Sequence, residues 1–135
     1  MLTGEGLLRW DENDRARVTP KPATSGGVLV SRNLDVGTTG TVAKGSAGQV
    51  YGYYFSNGHT SSARFLKLYN KATAATDADT PVMTLRLPAD SAGHIDFGKG
   101  IAFSAGIGYR ATTGIADNDV GAPGSNEVTV NLLYF

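Results

Sequence analysis

From Gln49 onward, apolar and polar residues alternate in short runs closed by Gly, Asn, Asp or Pro, the period-two pattern of half-buried strands. "ARFLKLYNK" puts Leu66 and Leu68 on one face and Phe65, Lys67 and Tyr69 on the other. "PVMTLRLP" gathers Met83, Leu85 and Leu87 opposite Val82, Thr84 and Arg86, with prolines marking its ends. "GIGYRATT" aligns Ile107 with Tyr109, and "EVTVNLLYF" aligns Val128, Val130, Leu132 and Tyr134. "QVYGYYFS" runs into the Asn57-Gly58 turn signal, and strict alternation places Tyr51, Tyr53 and Phe55 on one face. "HIDF" and "IAFS" read as two short pieces around "GKG". No segment keeps a helical period over ten to twelve residues, and the alanine-rich "NKATAATDAD" reads as loop. The pattern predicts an all-β domain, a jelly-roll-like antiparallel β-sandwich of seven or eight strands over residues 45–135.

Residues 1–44 read differently, as an extended N-terminal arm. The charged patch "RWDENDRAR" is followed by "VTPKPATSGG", where Pro20 and Pro22 remove backbone donors and force the preceding residues into extended conformations. "VLVS" (28–31) has the composition of a short strand, and "DVGTTGTVAKGSAG" returns to turn-forming residues.

Composition narrows the functional classes. Twelve Lys plus Arg balance twelve Asp plus Glu in 135 residues, so no electrostatic footprint for nucleic acid or an anionic membrane is expected. There is no cysteine, which excludes disulfides, thiolate metal sites and cysteine nucleophiles. No stretch approaches the ~20 apolar residues of a membrane-spanning helix, and the start lacks the charged-then-apolar form of a signal peptide. A soluble protein made in a cytoplasm is the expectation.

Candidate chemistry is sparse. Asp117, Asn118 and Asp119 offer clustered oxygen ligands, but the spacing of an EF-hand loop is missing, and Asp and Asn before Gly121, Pro123 and Gly124 fit a turn better. His59 falls in a predicted hairpin turn. His94 shares a strand face with Asp96, the best available pair for acid-base work, yet no GxSxG, HExxH or phosphate-loop motif accompanies it. The expectation is a non-enzyme with no cofactor and no metal. Tyr51, Tyr53 and Phe55 suit a stacking platform for sugars or, more simply, core or subunit-interface packing. Trp10, between Arg9 and Asp11, suits an anchor in a partner's pocket. Arg9, Trp10, Arg15, Arg17, Tyr51, Tyr53 and Phe55 are therefore the candidate partner-binding residues.

Residues 48–135 resemble small β-sandwich virion structural proteins of tailed bacteriophages and prophages, through "VYGYYFSN", "RFLKLYNKATAATDADTPVMTLRLPA" and "IDFGKGIAFSAGIGYRATTGIADNDVGAPGSNEVTVNLLYF". The last block is the most specific. The resemblance implies a capsid cement or decoration protein, located in the virion, that binds and stabilises the assembled head. It implies trimers seated on the major capsid protein or other virion subunits, no catalytic residues, and no nucleic-acid or membrane partner. The alternatives are a tail or baseplate component, or a carbohydrate-binding module for host-surface attachment.

Overall fold

A computed structural model describes the backbone of residues 8–10 and 16–18 and the whole of residues 26–135. Ten strands run in order: β1 (Leu8–Trp10), β2 (Ala16–Val18), β3 (Leu29–Asn33), β4 (Thr41–Lys44), β5 (Gly48–Asn57), β6 (Arg64–Tyr69), β7 (Met83–Leu87), β8 (Ser91–Phe103), β9 (Ile107–Thr112) and β10 (Val128–Tyr134). Among the described residues β1 and β2 pair only with each other, with Arg9 opposite Arg17 and Trp10 opposite Ala16.

The other eight strands form two four-stranded sheets, β3-β10-β5-β8 and β4-β9-β6-β7, antiparallel throughout. The two sheets pack as a β-sandwich. Counted from β3, their strand orders are 1-8-3-6 and 2-7-4-5. Every connection except the β6–β7 hairpin crosses from one sheet to the other, which makes the sandwich a jelly roll.

Period-two patterning puts the core where the sequence predicts it. Val128, Val130 and Leu132 of β10 face Leu66 and Leu68 of β6, Leu87 of β7, and Ile107 and Tyr109 of β9, all buried. Each such side chain contributes roughly 1.5–3 kcal/mol on leaving water. Asn57 fastens one end of the sandwich. Its Nδ2 donates to the carbonyls of Ser62, Leu87 and Pro88, and its Oδ1 accepts from the His59 N–H. Arg64 and Glu127 close the same end with a 2.6 Å ion pair.

Three expectations change. Residues 29–44, read as arm, supply β3 and β4, an edge strand for each sheet, so the sandwich begins before residue 45. Both strands are short and largely exposed, so they lack the dense apolar alternation that marks β6 and β10. "HIDF" and "IAFS" belong to one thirteen-residue strand, β8. Opposite β5 the register jumps, from Gly52↔Asp96 to Val50↔Ile101, so that residues 97–100 bulge against Tyr51 alone. Against β10 the register slips as well, from Gly52↔Leu133 to Val50↔Tyr134, which leaves Tyr51 as an extra residue in β5; this bulge reverses the parity of β5, so that Val50 and Tyr53 both enter the core although three residues apart. Tyr51, Tyr53 and Phe55 therefore do not share a face.

Candidate functional site

Tyr53 is 3% exposed, and its ring lies 6.0 Å from those of Phe55 and Phe97 on the core side. Burial pushes its phenol above the ordinary tyrosine value. Phe55 packs against the same core. These two candidates are structural. Tyr51 is sent to the outer face of the β3-β10-β5-β8 sheet, where its hydroxyl donates to Gln49 Oε1 and its ring lies over Gly100. A Cβ on Gly100 would sit 3.0 Å from that ring, so the glycine makes room for it.

Cross-strand register builds the outer face in rows. One row runs Arg32, Asn131, Tyr54, His94; the next runs Val30, Leu133, Gly52, Asp96. Tyr54, which the sequence reading did not single out, is 49% exposed and stacks on His94 with ring centres 5.0 Å apart. Val28, Val30 and Phe135 are each more than half exposed at the neighbouring edge. Two hollows open among these residues. One, of about 310 Å³, is lined by Gly27, Val28, Tyr51 and Phe135. The other, of about 240 Å³, lies between Tyr51, Tyr54, His94 and Leu133. A run of uncovered apolar and aromatic side chains on one sheet face is the usual mark of a surface that meets another molecule.

Among the described residues no hydrogen bond joins His94 to Asp96. The imidazole stacks on Tyr54, and Asp96 Oδ1 accepts the Gly98 N–H in a tight turn. His59 Nδ1 accepts the N–H groups of Ser61 and Ser62, a turn-capping role. Of the arm candidates, Arg9, Trp10 and Arg17 are placed by backbone register alone, and Arg15 lies outside the described residues.

The outer face of the other sheet is covered instead of open. Lys67 and Arg110, directly opposite each other on β6 and β9, are 0% and 1% exposed because residues 113–127 fold over them. Lys67 Nζ donates to the Ala116 carbonyl; Arg110 Nη2 donates to the carbonyls of Asp117 and Asp119, and its Nε to the Tyr69 hydroxyl. Asp119 Oδ1 in turn accepts the N–H groups of Gly114 and Gly121. Asp119 thus shapes the turn. Among the described residues no group of three metal-ligating side chains converges. Burial, and next the Arg110 charge, hold Lys67 below its ordinary pKa, opposed by Asp119 and Asp117.

The chain matches no protein-family model, no characterised protein and no solved structure.

Proposed function

We infer that this chain is a non-enzymatic structural subunit of a tailed-phage virion, a capsid cement or decoration protein that associates through the outer face of the β3-β10-β5-β8 sheet. The observation that carries the reading is the exposed set of Val28, Val30, Tyr54 and Phe135 around Tyr51 and Leu133, which leaves apolar area in water unless a second protein surface covers it. The jelly roll supports it in kind, being common among viral capsid domains, and so does the resemblance of residues 48–135 to small virion proteins. Self-association, as a trimer seated on the major capsid protein, would cover this apolar surface.

A concentration series in analytical ultracentrifugation tests the association. The wild-type chain should sediment as an oligomer, and Val30→Glu with Leu133→Glu should sediment as a folded monomer. Phage heads lacking the protein should bind the wild type and gain thermal resistance, and should do neither with the double variant. A wild-type monomer that leaves heads unchanged sinks the reading.

The second reading is a carbohydrate-binding module, favoured by the Tyr54–His94 stack beside a hollow, since aromatic faces stack on sugar rings and jelly rolls also serve as lectins. Saturable signal on a glycan array, lost in Tyr54→Ala, would favour it over assembly.

A further inference from the structure

A cavity of about 350 Å³ opens beside the loop-covered sheet, within the size range of small-ligand sites. Three loops wall it. Thr38, Thr39 and Gly40 come from the β3–β4 connection, residues 74–77 from the β6–β7 connection, and Val120 from the β9–β10 connection. Arg110 forms part of its lining from below.

Arg110 is spent on only part of its donor capacity. Nε and Nη2 hold Tyr69, Asp117 and Asp119, and Nη1 makes no hydrogen bond among the described residues. Among the described residues no fully buried side-chain nitrogen lacks a partner, so Nη1 keeps accessible surface on this 1% exposed residue, which lines the cavity. The N–H groups of Nη1 can donate a charge-assisted hydrogen bond to one carboxylate oxygen.

Among the described residues the ion pairs are Arg64–Glu127 and Lys71–Asp79, so no described carboxylate lies within 4 Å of Lys67 or Arg110. Two cations facing each other across neighbouring strands repel. An anion in the cavity would offset that repulsion. The hydroxyls of Thr38 and Thr39 make no hydrogen bond among the described residues and can serve further polar groups of a ligand. Asp77 can accept from a ligand hydroxyl, while its own charge disfavours a multiply charged anion such as phosphate.

We propose that this cavity binds a singly charged, hydroxyl-rich carboxylate the size of a monosaccharide, a uronic acid, with the carboxylate on Arg110 Nη1 and the sugar hydroxyls on Thr38, Thr39 and Asp77. The site is separate from the apolar sheet face, and its occupancy does not depend on how that face assembles.

Glucuronate, glucose and inorganic phosphate are titrated into the full chain, followed by calorimetry and by amide chemical shifts of residues 38–40, 74–77 and 116–121. Glucuronate should saturate with a Kd no weaker than a few millimolar, and glucose and phosphate should not, the order expected of a charge-assisted contact in a small site. Thr39→Val, an exposed position that leaves the Arg110 network intact, should weaken glucuronate about five- to tenfold. Val120→Trp, at a position 69% exposed, should occlude the mouth and abolish binding without lowering the thermal midpoint. Equal responses to glucose and glucuronate, binding of phosphate alone, no saturation by roughly 10 mM glucuronate, or binding unaltered by Val120→Trp would each overturn the assignment.

Discussion

Replacing Gly52 by alanine tests the device that shapes the outer sheet face. Gly52 has φ of 155°, and a Cβ there would lie 2.3 Å from the Ile95 carbonyl oxygen and 3.3 Å from Asp96 Cα and the Ile95 carbonyl carbon. All three neighbours are backbone, so no rotamer change relieves the clash. Reaching the 3.4 Å of ordinary contact requires β5 and β8 to separate locally by about 1 Å, which stretches ladder hydrogen bonds beyond useful length. Losing about two of them costs roughly 1 kcal/mol each, and an alanine held at this φ adds about 1–3 kcal/mol. The expected loss is thus about 3–5 kcal/mol, a large share of the ~5–15 kcal/mol of a typical domain. Gly98→Ala is the control: its φ of 63° is also positive, but nothing lies within 4 Å of the new Cβ, so about 1 kcal/mol is expected. Urea unfolding followed by tyrosine fluorescence and circular dichroism measures both. If Gly52→Ala costs no more than Gly98→Ala, the bulge is not held by that close approach and the reasoning fails.

Asn57→Ala removes two donated protons shared among three carbonyls and one accepted bond, a loss of about 3 kcal/mol readable as a lower urea midpoint; Asn57→Asp should be worse, because a carboxylate would face carbonyl oxygens. Around Glu127, burial opposes ionisation, but the Arg64 guanidinium and the Gly124 N–H outweigh it and set the carboxyl below its ordinary 4.5. A depressed folded value means the stabilisation is fully present above about pH 4.5 and is lost as pH falls through the folded value. Thermal melts from pH 7 to pH 3 should show a stability loss that is smaller in Glu127→Gln, and identical pH slopes for the two proteins would contradict the pairing.

Strands with one wholly apolar face were legible from the chain alone. β6, β7 and β10 appear as Leu66/Leu68, Met83/Leu85/Leu87 and Val128/Val130/Leu132 because their partners in the core are satisfied by any apolar shape. β3 and β4 were hidden, since an exposed edge strand needs little hydrophobic patterning and its identity depends on the neighbour it pairs with. Tyr51 was misplaced for a related reason: the bulge that turns it outward is set by the register of β5 with β10 and β8, strands distant in sequence. The buried state of Lys67 and Arg110 was equally invisible. Each stands at an outward position of its strand, and only the return of residues 113–127 over the sheet removes it from water. The Asp117–Asp119 segment was legible as a turn, but the carbonyls it presents to those two cations follow from tertiary position alone.

The placement of β3 beside β10 has a consequence in time. β3 has no other neighbour in its sheet, so its hydrogen-bonding edge stays unpaired until residues 128–134 have been made, about a hundred residues later. At ~5–20 residues per second of synthesis that wait lasts on the order of 5–20 s. During it, Leu29 and Val30 form an apolar edge open to any strand that comes near. Crowded nascent chains of this protein are therefore expected to be most prone to mispairing just before the last strand leaves the ribosome, and slower elongation through residues 113–127 would lengthen that window.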